Sequence, residues 1–224
     1  MARDTRSISI DRVNALETDA LMSLYVDLFY DREPLTKSIG FSRERMITVA
    51  QTMYARSDTH VLAQGLSWIA RDRAEENKDV GFIVCDDPAA GGAQQLPDDL
   101  ADYELKKVSA VGALLEQIRG PVMETLALGE GICLHVAAVG VAPEYEGAGI
   151  ATRLLQTALA EAKARGFRYA LAECTSPASR QCHERTGFGS LHRISGNSSV
   201  VNGVDPLMPP ELEIHLMWKV LDEG

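Results

Sequence analysis

The stretch GICLHVAAVGVAPEYEGAGIATRLLQTALAEAKARGFRYALAEC, Gly131 to Cys174, constrains this chain more than any other. Its first part is apolar without alternation, the pattern of a strand buried on both faces. Ile150, Leu154, Leu155, Ala158, Leu159 and Ala162 then recur at helical spacing, and Gly166 closes the helix. YALAEC follows as a short buried strand. Between the first strand and the helix lie Gly147, Ala148, Gly149 and Ala151, positions without bulky side chains. The first N–H groups of a helix have no internal partner and point outward, so such a turn is a backbone anion site. One residue runs against that reading. Glu146 puts a carboxylate at the threshold of the turn, where a phosphate favours a cation.

The rest of the chain supplies further strands and helices. SISIDRV alternates like a strand, and Leu21, Leu24, Tyr25, Leu28 and Phe29 mark a helix from Ala15 to Tyr30. That helix stops at DREPL, because the residue before a proline avoids helical geometry. FSRERMITVAQTMYARS reads as a second helix with Ser42 at its N-cap. Strands are expected around VLAQGLSWIAR and DVGFIVCDD, then a surface loop, DDPAAGGAQQLPDD. Leu105 to Leu128 is helical with a break at Gly120-Pro121. SPASRQCHERTGF makes a short helix ending at Gly187, and GSLHRIS and ELEIHLMWKVL are the last strands. The irregular SGNSSVVNGVDPLMPPE between them has the length of a substrate loop. With no repeat and no linker, the expectation is one α/β domain, residues 1–224, with a mixed sheet.

Composition excludes some functions. The net charge of -10 argues against nucleic acid as a partner, since phosphate contacts need clustered Lys and Arg. No apolar run is long enough to cross a membrane, and MARDTRSISI has no signal-peptide core. Cys85, Cys133, Cys174 and Cys182 are widely spaced and three lie in apolar runs, which predicts reduced thiols and a cytoplasmic protein. The histidines are equally scattered, so no metal site is read.

GAGIAT also approaches the dinucleotide fingerprint GxGxxG/A, with Glu173 near the position of the ribose-binding acid. Thr152 occupies the third small position, however, and APEYE separates the strand from the first glycine. Too little chain follows Cys174 for the remaining parallel strands.

VAPEYEGAGIATRLL followed by CHERTGF resembles the GNAT superfamily of acyl-CoA-dependent N-acetyltransferases, whose signature is Q/R-x-x-G-x-G/A at this helix and a later Gly-Phe. FYDREPLTKS, GIATRL, CTSPAS and IHLMWK resemble, more narrowly, the invertebrate-type arylalkylamine N-acetyltransferases. The resemblance implies a single-domain α/β fold with a mixed sheet of about seven strands, splayed at the acyl-CoA site. The pantetheine arm would run along Val139, Gly140 and Val141. The pyrophosphate would meet the backbone of Gly147, Ala148, Gly149, Ile150, Ala151 and Thr152, with Arg153 beside it.

The implied reaction sets the remaining candidates. An alkylamine with a pKa near ~10 arrives protonated and must lose a proton before it attacks. The family gives this task to the glutamate of the EPL segment, here Glu33; read without the resemblance, Glu33 is a solvated residue after a helix. Many GNAT enzymes place a tyrosine, which protonates the departing thiolate, where this chain has His183. The arylalkylamine branch implicates hydroxyls matching Thr175 and Ser179 instead. Without the resemblance His183 is a helix-surface residue, and His135 a core histidine and reserve base. The expected partner is a small amine, arylalkylamine or polyamine-like, acetylated directly in a ternary complex with acetyl-CoA and no metal. A protein or peptide N-acetyltransferase and a non-catalytic CoA sensor are the alternatives. Arg153 and Arg180 are the expected cations to offset Glu146.

Overall fold

The computed structural model describes residues 7–55, 61–90, 96–126, 128–195 and 212–221. In chain order the elements are β1 Ile8–Arg12, α1 Thr18–Phe29, α2 Pro34–Ile39, α3 Arg43–Tyr54, β2 Trp68–Asp72, β3 Lys78–Asp86, α4 Asp102–Thr125, β4 Cys133–Val141, α5 Ile150–Ala164, β5 Tyr169–Cys174, α6 Pro177–Arg185, β6 Gly189–Ser195 and β7 Glu213–Val220. The strands form one seven-stranded sheet in the order β1-β2-β3-β4-β5-β7-β6. Every neighbouring pair is antiparallel except β4 and β5, which are parallel and joined by α5 as crossover. This is the mixed α/β sheet that the sequence predicts.

Successive strand residues face opposite layers. On β3, Phe82 packs against Tyr25 and Phe29 of α1, with ring centroids 5.6 and 5.8 Å apart. Its neighbour Gly81 faces Ile150 of α5. Thus α1 covers one face and α5 the other. The stripe read from the sequence, Ile150 to Ala162, is the buried side of α5.

Three local readings change. The stretch 61–71 is not one strand: Val61–Gln64 is a 3-10 turn, Gly65 reverses the chain at φ +65°, and β2 begins only at Trp68. α4 runs unbroken through Gly120-Pro121. Pro121 is exposed, so the carbonyl it leaves without a partner can turn to water instead of ending the helix. The third difference bears on the site. After α1 a second short helix, α2, starts at Pro34, a residue already set for a first helical position, and ends at Gly40 with φ +69°. The expected substrate loop of residues 195–211 lies, beyond Ser195, outside the described residues.

Candidate active site

The sheet parts in its middle. β4 and β5 pair only at Cys133–Tyr169, Leu134–Ala170 and His135–Leu171. Beyond His135, β4 continues to Val141 against β3 alone, with a register shift between Val84 and Cys85 that leaves Ala137 as an extra residue. Such a bulge twists a strand and ends pairing on one side. Val136 to Val141 therefore have no strand partner on the side of the gap, although the Val141 carbonyl accepts from Arg32. Gly140 serves packing as well: a Cβ there would stand 2.7 Å from Cε1 of Phe82.

The turn after β4 is anchored from below. Pro143–Tyr145 makes one 3-10 turn, and the buried Tyr145 hydroxyl donates to Oδ2 of Asp72 at 3.0 Å. Gly147 and Gly149 follow at φ +75° and +76°, a conformation that disfavours side chains, and a Cβ at either would meet no atom within 4 Å. Gly149 caps α5 without any side-chain hydrogen bond. The N–H groups of Ile150, Ala151 and Thr152 thus face outward beside an open glycine cradle, which fits a diphosphate. Ile150 itself has its side chain in the core. Thr152 Oγ1 lies 3.9 Å from Cys182 Sγ.

Arg153 and Arg180 are not the partners of Glu146. Arg153 donates Nη2 to the Ile8 carbonyl at 3.0 Å, and Arg180 lies by Glu184 and His215. Glu146 pairs with Arg32, from the turn between α1 and α2. Two residues of DREPL, Arg32 and Glu33, therefore face different parts of the gap.

Glu33 is the N-cap of α2. Its carboxylate accepts from Leu35 N at 3.1 Å and Thr36 N at 2.6 Å. A third donor comes from across the molecule, the Thr175 hydroxyl at 2.7 Å. Thr175 directly follows β5, so this bond sets Glu33 at the open end of the gap. It also separates Thr175 from Ser179. The sequence placed both on one helical face, but α6 starts after the Ser176 cap, and the Ser179 hydroxyl points to Cys174 Sγ at 3.3 Å.

His183 is 1% exposed, not a surface residue. Its Nδ1 is 2.9 Å from the Ser179 carbonyl and 3.3 Å from Cys174 Sγ, and its ring stands edge-on to Phe188. The carbonyl can only accept, so Nδ1 carries the proton and Nε2 is a bare acceptor, buried without a partner. Burial lowers the His183 pKa, against the opposing effect of the Ser179 carbonyl. Burial likewise pushes the Cys174 thiol up to about 12, so the two form no ion pair at neutral pH.

A second cluster sits at the vertex of the gap. His135, the last β4 residue paired to β5, has Nδ1 2.7 Å from Asp86 and Nε2 2.8 Å from Glu173. Burial disfavours its charge, but Glu173 and Asp86 outweigh that and raise its pKa to about 10. Glu173 is held low despite burial, by the His135 cation and by Arg119 of α4, 3.6 Å away. Tyr54 and Tyr25 lie side by side, with ring centroids 5.6 Å apart. Burial pushes Tyr54 up to about 12, and the nearby Asp86 carboxylate adds to the shift. Charged residues inside apolar strands, Asp86 in IVCDD, His135 in CLHVAA and Glu173 in YALAEC, are the signal that could have revealed this cluster.

A mixed sheet parted beside the open N-terminus of α5 is the fold that the sequence resemblance implies. Residues 44–188 match the model described as the Acetyltransferase (GNAT) family, and the chain belongs to that family. Among solved structures it is similar to the C-terminal condensation domain of Ebony in complex with beta-alanyl-dopamine, at 17% identity, TM-score 0.79, over 98% of this chain and 100% of that one. It is similar to arylalkylamine N-acetyltransferase 2 from Aedes aegypti, at 16% identity, TM-score 0.74, over 97% and 100%. A polyamine N-acetyltransferase from Drosophila melanogaster aligns at 18% identity, TM-score 0.71, over 95% and 99%. At these identities the likeness is one of fold. Among the described residues no helix is long and apolar enough to cross a membrane, and no His, Cys, Asp and Glu group could hold a metal.

Proposed function

We propose that this protein is an acetyl-CoA-dependent N-acetyltransferase for a small primary amine, arylalkylamine or polyamine-like, working by direct transfer in a ternary complex. The observation that carries the reading is the Glu33 carboxylate, fixed by two backbone N–H groups and Thr175 at the open end of the gap. Its charge attracts an ammonium group, and its fixed oxygens are placed to take the proton that the amine must lose. Acetyl-CoA, when bound, supplies the acetyl group as a thioester. The unpaired edge of Val139 to Val141 would hold its pantetheine amides, and the backbone from Gly147 to Thr152 its pyrophosphate. A β4 N–H facing the gap would polarise the reacting carbonyl. The Ser179 hydroxyl, engaged only by a weak thiol acceptor, is free to turn and donate to the departing sulfur. His183 supports α6 beneath it. His135 is held as a cation by two carboxylates, so it shapes the wall of the acceptor side instead of acting as a base. The free cysteines fit a reducing, cytoplasmic setting.

Thiol release from acetyl-CoA, measured with aromatic amines, polyamines, amino acids and peptides side by side, tests this. Turnover with small amines and not with peptides is expected. Turnover with peptides alone would make the protein a peptide acetyltransferase. Binding of CoA without turnover on any acceptor would make it a sensor.

A further inference from the structure

The threshold carboxylate has an answer in the structure. Arg32 bonds Glu146 through Nη2 and donates Nη1 to the Val141 carbonyl at 3.2 Å. One guanidinium thus touches both the end of β4 and the start of the glycine turn. The backbone N–H groups of Arg32 and Glu33 both donate to the Phe29 carbonyl, at 3.0 and 2.9 Å, which fixes the turn that carries them. Both side chains are about half exposed, 42% for Arg32 and 53% for Glu146. A pair so exposed stabilises the fold little. Its place is the more informative property.

We propose that Arg32 is the side-chain cation of the diphosphate site, held at the turn by Glu146 until the cofactor arrives. The proposal rests on the acetyl-CoA reading above and adds to it a binding residue outside the glycine motif. A diphosphate brings more charge and more acceptor oxygens than one carboxylate, and a guanidinium fork binds such groups well. When the phosphates settle on the turn, Arg32 exchanges Glu146 for them and the carboxylate moves into solvent. The chain thereby compensates for a glutamate where the family has Gln or Arg.

Calorimetry with CoA tests this in the wild type, Arg32→Ala, Arg32→Lys and Glu146→Gln. Arg32→Ala should weaken CoA binding by about tenfold, the scale of one charge-assisted hydrogen bond. Lysine should restore part of it, Glu146→Gln should tighten binding, and added salt should shrink each effect. Acetyl-pantetheine has no diphosphate, so Arg32→Ala should lower kcat/KM with it as acetyl donor by clearly less than with acetyl-CoA. Unchanged CoA affinity in Arg32→Ala would overturn the proposal, as would an equal loss with acetyl-pantetheine, which would make Arg32 a brace. Failure of the wild type to bind CoA would instead overturn the acetyl-CoA reading itself.

Discussion

The hydroxyl of Thr175 donates to Oε1 of Glu33 at 2.7 Å, joining residues 142 positions apart. The bond ties the side chain that caps the N-terminus of α2 to the end of β5, the strand that forms one wall of the gap. A carboxylate already held by the N–H groups of Leu35 and Thr36 is thereby joined to the far wall of the gap.

Glu33→Ala should lower turnover on a good amine by on the order of 10²-fold or more, with CoA affinity near wild type. Thr175→Val should cost less, because Leu35 and Thr36 still hold the carboxylate. Steady-state rates across pH, paired with CoA binding, check both. Full turnover in Glu33→Ala would remove Glu33 from the chemistry.

Ser179→Ala should slow the chemical step by on the order of 10²-fold in single-turnover experiments, if its hydroxyl meets the departing thiolate. His183→Phe should retain far more of that step, because its N–H is engaged by the Ser179 carbonyl. The opposite ranking would assign the donor role to His183.

Two histidines should bend the stability curve in opposite directions. His135 has its folded pKa raised to about 10, so its contribution is complete below the unfolded value near 6.5 and disappears as pH rises toward 10. For His183 the folded value is lowered, so stability declines as pH falls below about 6.5. Denaturant unfolding from pH 5 to 10 should therefore peak between the two effects, and His183→Phe should flatten the acidic side. His135→Leu removes the shared partner of two largely buried carboxylates, of which Glu173 keeps Arg119, and should cost about 3 kcal/mol at neutral pH. A loss under about 1 kcal/mol would mean that water already reaches the cluster.

Gly140→Ala should destabilise by about 1–3 kcal/mol, because the new methyl meets the Phe82 ring. Phe82→Leu in the same chain should recover part of that. If the double variant is no better than the sum of the single ones, the contact is not the cause.

The central strand–turn–helix–strand was legible because its apolar periodicity and its glycines each have one cheap structural solution. Ile150 to Ala162 needed no tertiary information. Short elements were less visible. α2 is a helix of six residues capped by a glutamate, and nothing in PLTKSI has enough period to announce it. The candidate site divides along the same line. Gly147 and Gly149 announce themselves locally, whereas the bonds of Arg32 to Glu146 and of His135 to Asp86 and Glu173 join distant segments. Charge counting predicted that Glu146 needs a cation, but it selected Arg153 beside it and Arg180 across the cleft, when the partner is Arg32 in the turn between α1 and α2.

The three residue pairs between β4 and β5 are a short weld between two larger plates, β1 to β4 and β5 with β7 and β6. Each plate has longer ladders of its own, so opening of the molecule is expected to concentrate at the weld. Amide protons of β4 beyond His135 that face the gap then exchange with solvent faster than those bonded to β3, and any chain laid along that edge completes the ladder and slows them. A co-substrate would act here as a missing strand, stiffening the molecule across its centre while the chemistry takes place.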